Sequence, residues 1–307
     1  MDRLTLLMMA GYPRSGTTIV GNILNELEGF VHVGESHYLW ERNLLKRNRR
    51  CGCGLGMPRC PVWGLVLPGL LEQDDPASVL RWQRRSGRWW RRSRLEGMSS
   101  PGGVVGRYVE VLSRFYRRVA GVTGAGVIVD SSKWVSAATL ARLVPDVDVH
   151  LLHVIRDPRG VIHSRQRKLM KERGDGSVRL SRPRAALDAW GWLRVTRTAE
   201  RMVRSGGEGA STMRYEDFAD HPRAVLKGIL DDLGAGDPDA LPFEDERHVV
   251  LGTNHTLGGN RNRFASGTVE IREDDRWRSR LRPADRKLIE AVTRPVAARY
   301  GYLGKAT

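Results

Sequence analysis

Short runs of hydrophobic residues alternate along the chain with longer segments in which hydrophobic residues recur every three or four positions. The short runs are typical of strands that are buried on both faces, and the longer segments are typical of amphipathic helices. The predicted strands cover residues 4–9, 30–33, 127–129, 147–155 and 212–214. The predicted helices cover residues 17–27, 38–47, 106–119, 184–203, 222–233 and 283–300. One more predicted helix ends near residue 143, and another begins near residue 158.

This alternation predicts an α/β protein with a P-loop-like parallel sheet that is flanked by helices. The sequence has no internal repeat, no long low-complexity linker and no convincing domain boundary. We therefore predict a single domain over residues 1–307, with a helical or loop insertion at about residues 38–120 on the acceptor side.

The first predicted strand leads into the loop G-Y-P-R-S-G-T-T, residues 11–18, which has the frame of a P-loop. Thr17 stands where a P-loop has its lysine, and Arg14 lies three residues earlier. A loop between a strand and a helix directs backbone N–H groups and the helix dipole at one anion. Arg14 adds charge to this predicted anion site, and Thr17 and Thr18 add hydroxyl donors.

Two ligands fit such a loop. The first is ATP or GTP with Mg²⁺, held by a threonine hydroxyl and by Asp157, which follows the strand at residues 147–155. The second is a nucleotide whose reactive group carries less charge and needs no metal, such as a sulfuryl group. Arginine and backbone N–H groups suffice to stabilise a loose in-line transfer of that group.

A second motif, V-I-R-D-P-R-G-V-I-H-S-R, ends the fourth predicted strand. Ser164 follows Arg156 by eight residues, about two turns into the next helix, so the two side chains lie on one side. An arginine and a serine that converge form a second anion site. A triphosphate has no use for this second site, whereas a nucleotide with a phosphate on its ribose does.

These motifs, together with M-R-Y-E-D-F-A-D-H-P at residues 213–222, resemble the sulfotransferases that use 3′-phosphoadenosine 5′-phosphosulfate (PAPS). The resemblance runs along nearly the whole chain. It implies that the 3′-phosphate is bound by Arg156 and Ser164. It implies that the 5′-phosphosulfate is bound by the first loop, at Arg14, Ser15, Gly16, Thr17 and Thr18. The later segment N-H-T-L-G-G-N-R-N-R-F resembles the segment that closes over the 3′-phosphate, which implies Asn260 and Arg263 as donors.

The acceptor hydroxyl needs a base, and a positioned base contributes roughly 10²–10⁴ in rate. Glu35 follows the second predicted strand, at the sheet edge where ligands of open α/β sheets bind. Its place after Gly34 resembles that of the catalytic glutamate of the tyrosylprotein sulfotransferases. His37 is the competing base, as in cytosolic small-molecule members, and a third interpretation is that Glu35 only caps the following helix. Lys133, in D-S-S-K-W, is implied to contact the bridging oxygen or the sulfuryl group.

The chain has 51 Lys+Arg against 35 Asp+Glu, a formal net charge of +16, which favours an anionic ligand or surface. An arginine-rich genome-wide composition explains the same excess. A basic segment at residues 81–94 carries Trp82, Trp89 and Trp90 and is compatible with nucleic acid. We prefer a solvated helix face, or a lid over the acceptor, for this segment.

Three cysteines, Cys51, Cys53 and Cys60, are too few for a disulfide scaffold and fit a reducing compartment. Their spacing, C-x-C-x₆-C, shows no clear fourth zinc ligand, so we predict no metal and prefer a loop ordered by packing or a disulfide. The apolar run at residues 4–10 is too short for a signal peptide or a membrane span. These features predict a soluble cytoplasmic protein.

The sequence thus predicts a bacterial PAPS-dependent sulfotransferase of specialised metabolism. It would act on a hydroxyl of a small molecule and release adenosine 3′,5′-bisphosphate (PAP). The competing hypotheses are a P-loop kinase or NTPase that uses Mg-ATP, and a basic nucleic-acid-binding protein with a degenerate nucleotide fold. The identity of the acceptor is left open, and a sugar, a lipid and a peptide tyrosine are among the possibilities. The oligomeric state is also left open.

Overall fold

The computed structural model describes residues 3–46, 50–88, 101–173, 182–206 and 209–303. Its centre is a five-stranded sheet in the order β2-β3-β1-β4-β5, with all neighbours parallel. The strands are β1 (Leu4–Ala10), β2 (Phe30–Gly34), β3 (Val127–Lys133), β4 (Val147–Ile155) and β5 (Ala210–Arg214). All five predicted strands are present, and the predicted parallel α/β class is confirmed.

Helices connect the strands and follow the last one. They are α1 (Thr17–Leu24), α2 (Trp63–Leu71), α3 (Pro76–Ser86), α4 (Gly103–Thr123), α5 (Val135–Ala141), α6 (Pro158–Arg173), α7 (Arg182–Ser205), α8 (Tyr215–Asp220), α9 (Pro222–Leu233), α10 (Trp277–Arg280) and α11 (Pro283–Ala297). A two-stranded antiparallel hairpin, β6 (His248–Leu251) with β7 (Gly267–Glu270), lies outside the main sheet. No described helix has the length and apolar character needed to cross a membrane.

The central strand β1 is packed on both faces. Leu6 and Met8 belong to the core on the side of α2, α4 and α5. Leu7 and Met9 belong to the core on the side of α1, α8 and α9. This alternation follows from the two-residue period of a strand, and it explains why β1 is hydrophobic at every position from Leu6 to Ala10.

Most predicted elements differ from the structure by a few residues at their ends, and three differ more notably. Strand β3 continues past Val129 to Lys133, since Asp130, Ser131 and Ser132 are buried and hydrogen-bonded. Helix α1 ends at Leu24, three residues before the end of the hydrophobic pattern. The segment predicted as a helix over residues 38–47 is a 3₁₀ turn at Ser36–Tyr38 followed by a π-helix, Leu39–Leu45.

The connection from β2 to β3 contains the π-helix and helices α2, α3 and α4. Most of its buried hydrophobic residues join one face of the central sheet. It therefore shares a core with the sheet. Trp89 and Trp90 of the basic segment, and most of the loop at residues 171–183, lie outside the described residues.

Candidate functional site

A cavity of about 620 Å³ lies at the carboxyl edge of the sheet, where β1, β2, β3 and β4 end. Nine residues that the sequence singled out line it. They are Arg14, Gly16, Thr17, Thr18, Glu35, Lys133, Arg156, Ser164 and Asn260. Residues that are far apart in the sequence therefore meet because parallel strands end at the same edge.

The first loop is held in an unusual backbone conformation. Gly16, at the N-cap of α1, has φ 94°, and a Cβ there would lie 2.7 Å from the ring of Tyr215. Arg14 has φ 83°, which is costly for a residue with a side chain. The buried Thr17 hydroxyl has no hydrogen-bond partner among the described residues. A strained loop with an unsatisfied donor at a helix N-terminus is suited to an anion.

The side chain of Arg14 reaches toward the second motif. Its Nε donates to Ser164 Oγ at 3.0 Å, and Arg156 Nη1 donates to the backbone oxygen of Arg14 at 3.0 Å. Burial, together with the charges of Arg156 and Arg167, lowers the pKa of Arg14. The two predicted anion motifs are thus parts of one strongly positive surface.

Arg156 is fixed from several sides. Its guanidinium lies 4.2 Å from the centre of the Tyr215 ring, and its backbone oxygen accepts a hydrogen bond from Trp192 Nε1 at 3.1 Å. Its Nη2 donates to the backbone oxygen of Asp274 at 2.8 Å. A cation over an aromatic face is attracted by the ring, so Tyr215 supports the position of Arg156.

The carboxylate of Asp274 enters this positive surface. It accepts hydrogen bonds from Arg276 at 2.6 Å and from Arg167 at 3.0 Å, and Arg156 lies 3.9 Å away. Partial burial alone would raise the pKa of Asp274, but the hydrogen bonds from Arg276 and Arg167 hold it well below its usual range. We call Arg14, Arg156, Arg167 and Arg276 with Asp274 the arginine cluster.

Glu35 and Lys133 form the second charged group of the cavity. Lys133 Nζ donates to Glu35 Oε1 at 2.5 Å, and Arg42 lies 4.0 Å from the other carboxylate oxygen. The side chains of Lys133 and Glu35 are only 11% and 14% exposed, so water screens the pair less than it screens a surface ion pair. We call these two residues the glutamate–lysine pair.

The backbone around this pair is also constrained. Lys133 has φ 71°, so two of the three described non-glycine residues with positive φ, Arg14 and Lys133, line the cavity. Gly34 has φ 77°, and a Cβ there would lie 2.8 Å from the backbone nitrogen of Leu257. Leu257 in turn accepts a hydrogen bond from the Glu35 N–H at 2.7 Å. Gly34 therefore permits the close approach that fixes Glu35.

A buried polar network supports the loop that carries Glu35. Asp130 accepts hydrogen bonds from Ser36, from the Ser132 backbone at 2.9 Å and from Tyr116 at 3.1 Å. Burial raises the pKa of Asp130, and these donors offset part of that shift. The network connects the end of β3 to the turn after β2, so the two members of the glutamate–lysine pair are positioned together.

His37, the competing base, is not among the residues that line the cavity. Its ring stacks on Trp134 with centroids 5.1 Å apart, and Nδ1 lies 3.3 Å from Gln83 Nε2. Burial, followed by the charge of Arg42, lowers its pKa to about 4. At neutral pH His37 is therefore uncharged, and it lies beside Glu35 outside the cavity lining.

Two predicted donors also point elsewhere. Ser15 is buried, and its hydroxyl donates to the backbone oxygen of Tyr12 at 2.8 Å, which closes the turn of the first loop. Arg263 is buried and donates to the backbone oxygens of Gly259 and Arg50. Asn260 does line the cavity, with its backbone N–H 3.5 Å from Thr18 Oγ1.

Sequence reasoning did not assign Arg42, Arg167 or Tyr215 to the site. All three line the cavity. Arg167 lies three residues after Ser164 on α6, so helical spacing from a recognised motif was the available signal. Arg42 lies on the π-helix, a rare element that often occurs at functional sites and that the sequence pattern does not reveal.

The chain is similar to known proteins both in sequence and in fold. The sequence profile of the sulfotransferase family matches residues 7–239. The fold is similar to the sulfotransferase domain of the olefin synthase from Synechococcus PCC 7002, at 20% identity and TM-score 0.52, with 94% of each chain covered. It is also similar to the sulfotransferase domain from the curacin biosynthetic pathway, at 16% identity and TM-score 0.56, with 99% of each chain covered.

A search of curated proteins found no match. The family profile, however, covers well over half of the sequence, including the end of β1, all of β2 to β5 and the loops that follow these strands. This chain is therefore a member of the sulfotransferase family.

Proposed function

We propose that the protein transfers a sulfuryl group from PAPS to a hydroxyl group of a small molecule and releases PAP. The proposal rests mainly on one observation, which is that a single cavity contains both the arginine cluster and the glutamate–lysine pair. An excess of guanidinium groups suits a nucleotide with phosphates, and a carboxylate beside an ammonium suits proton transfer at the reacting group.

The residues of the cavity fit the donor. Thr17 Oγ1, without a partner among the described residues, and the N-terminus of α1 supply donors for the 5′-phosphosulfate. Ser164 and Arg156, with Arg14 between them, supply donors for a 3′-phosphate. The carboxylate of Asp274 occupies a position among Arg156, Arg167 and Arg276 where an anion is favoured. We expect a bound phosphate to displace this carboxylate from the arginines.

The reaction is a single in-line displacement. The donor supplies the sulfuryl group. Glu35 accepts the proton of the acceptor hydroxyl, whose oxygen forms a bond to sulfur while the bond from sulfur to the phosphate oxygen breaks. Lys133 and the N–H groups of the first loop donate to the leaving phosphate, whose charge increases as this bond breaks. No covalent enzyme intermediate is required.

The kinase alternative depends on Asp157 as a metal ligand. That carboxylate is buried and accepts hydrogen bonds from the Arg159 side chain at 2.6 and 3.0 Å. It does not line the cavity. An acid that is already neutralised by a bidentate arginine is poorly suited to hold Mg²⁺, and this observation disfavours the kinase.

The deciding experiment is calorimetric titration in EDTA with PAP, with adenosine 5′-monophosphate and with ATP. We expect PAP to bind without metal and more tightly than either of the others. Mass-spectrometric detection of labelled sulfuryl transfer from PAPS to compounds in a cell extract then identifies the acceptor. Binding of ATP only in the presence of Mg²⁺, with no binding of PAP, would overturn the proposal in favour of a kinase. Salt-sensitive binding of DNA or RNA that is unaffected by Glu35→Gln would favour a nucleic-acid-binding protein.

A further inference from the structure

Four side chains outside the cavity converge on one point. They are Cys51, Cys53 and Cys60, from the loop before α2, and His255, which lies 195 residues after Cys60. Their four ligand atoms, three Sγ and one imidazole nitrogen, all lie within 4.8 Å of one another. Cys51 and Cys60 are buried, and all three cysteines are free thiols.

The separations between these atoms match a tetrahedral metal site. Cys60 Sγ lies 3.4 Å from Cys51 Sγ and 3.2 Å from His255 Nδ1, and Cys51 Sγ lies 3.7 Å from His255 Nδ1. Zinc–sulfur bonds of about 2.3 Å and zinc–nitrogen bonds of about 2.0 Å place tetrahedral S···S pairs about 3.8 Å apart and S···N pairs about 3.5 Å apart. For these three pairs, shifts of a few tenths of an ångström separate the two geometries, and the pairs that involve Cys53 Sγ lie within 4.8 Å.

We propose that Cys51, Cys53, Cys60 and His255 bind one Zn²⁺ ion. Four protein ligands leave no open position, so the site is structural and not catalytic. The three thiols release their protons to solvent as the metal binds. A disulfide between Cys51 and Cys60 would leave the third thiol and the imidazole without a common partner, whereas zinc accounts for all four.

Backbone and side-chain hydrogen bonds around the cysteines hold the four ligands in position. Gly54 has φ 83° and donates to the backbone oxygen of Cys51 at 2.9 Å, which closes a tight turn over residues 51–54 that contains the first two cysteines. Trp63 Nε1 donates to the backbone oxygen of His255 at 2.6 Å, which fixes the fourth ligand against α2. The ligands are thus preorganised by contacts that do not depend on the metal.

The site ties the cysteine loop to the segment that positions Glu35. Gly52 donates to the backbone oxygen of Thr256 at 3.1 Å. The next residue, Leu257, donates to Val33 at 2.8 Å and accepts from the Glu35 N–H at 2.7 Å. Loss of the metal would loosen the strand-like contact of Leu257 with the end of β2, and with it the backbone of the proposed base.

The first test is the metal content of tag-free protein, measured by inductively coupled plasma mass spectrometry. We expect one zinc per chain, which a mercurial reagent releases as it modifies the three thiols. X-ray absorption should show three sulfur neighbours at about 2.3 Å and one nitrogen neighbour at about 2.0 Å. Protein without metal but with three freely titratable thiols, or a mass lower by two hydrogens from a disulfide, would overturn the proposal.

Variants provide the matched comparison. We expect His255→Ala to lose most of its zinc and to unfold at a lower temperature, while His248→Ala, at an exposed histidine paired with Asp245, keeps the full metal content. If His255→Ala does not fold, cobalt substitution of the wild-type protein decides, because a Cys₃His site gives tetrahedral thiolate–cobalt bands. An octahedral cobalt spectrum would count against the site. None of these readouts depends on PAPS, so the zinc site and the proposed function can fail separately.

Discussion

The arginine cluster and the glutamate–lysine pair differ in how their charges are balanced. In the arginine cluster, one carboxylate, Asp274, contacts three guanidinium groups, and Arg14 adds a fourth nearby. In the pair, the carboxylate of Glu35 meets Lys133 directly and Arg42 at 4.0 Å. An excess of cations attracts an anionic ligand, whereas a nearly balanced pair can exchange a proton with a neutral hydroxyl. The two parts of one cavity are therefore suited to different steps.

The largest effect should come from removing the base and keeping the binding surface. Glu35→Gln keeps the shape and the neighbours of the side chain but cannot accept a proton. We expect kcat to fall roughly 10²–10⁴-fold, the usual contribution of a positioned base, while the dissociation constant for PAP stays within about twofold. Steady-state kinetics and calorimetry measure the two quantities. His37→Gln is the matched control, and a larger loss of kcat in that variant would transfer the role to His37.

The second effect separates the arginine cluster from the pair. Arg156→Ala removes charge-assisted hydrogen bonds, which contribute about 1.5–3 kcal/mol, so PAP should bind roughly 10- to 150-fold more weakly. Adenosine 5′-monophosphate, which lacks the 3′-phosphate, should bind almost unchanged. Arg117→Ala, at an exposed ion pair with Asp146, serves as the control. Equal weakening of both nucleotides would show that Arg156 does not recognise the 3′-phosphate.

A smaller effect of opposite sign is expected at Asp274. Asp274→Asn removes the carboxylate that competes with a bound phosphate for Arg167 and Arg276. PAP should bind about fivefold more tightly at low salt, a gain of about 1 kcal/mol, which is typical of one partly screened charge. Calorimetry at two salt concentrations tests this, because the gain should shrink as salt screens the charges. Weaker binding would mean that Asp274 orients the arginines and does not compete for them.

The smallest effect concerns buried histidines near both parts of the cavity. Burial lowers the pKa values of His37 and of His153, three residues before Arg156, to about 4. The unfolded chain has histidine pKa values near 6.5, so it binds more protons than the folded chain between about pH 6.5 and 4. The free energy of unfolding should therefore fall as the pH is lowered through this range.

His153→Leu tests this pH dependence directly, because neither ring nitrogen of His153 has a hydrogen-bond partner among the described residues. Thermal unfolding between pH 5 and 7.5 should show a shallower loss of stability in this variant than in the wild-type protein. His248→Ala should not flatten the curve, since its hydrogen bond to Asp245 raises the pKa of His248. An unchanged pH dependence in His153→Leu would mean that His153 is not the group that titrates.

The sheet was predictable because its sequence signal is local. Strands β1, β2 and β4 and the first half of β3 are mainly hydrophobic, whereas β5 is mostly polar, and loops of the cavity follow β1, β2 and β4 directly. Parallel pairing then brings the ends of the strands to one edge whatever their order. The sequence therefore placed Arg14, Glu35, Lys133 and Arg156 at this edge, and all four line the cavity.

The remaining features depend on contacts between distant segments. The burial of Asp130 needs donors from Ser36 and Tyr116, so the polar end of β3 resembled a loop in the sequence. His255 lies beside the cysteines because its backbone packs against Trp63. No spacing between residues in the sequence predicts that position. Likewise, nothing in the sequence around Asp274 indicates that its carboxylate would meet Arg167.

The central position of β1 has a consequence for synthesis of the chain. Strand β1 has seven residues and pairs with β3 and β4, which lie within residues 127–155. Both ladders join segments that are more than a hundred residues apart, and such non-local pairing is slow to form. A nascent chain must therefore carry an unpaired apolar strand until more than a hundred further residues have left the ribosome, and during that time chaperones are the natural protection against aggregation.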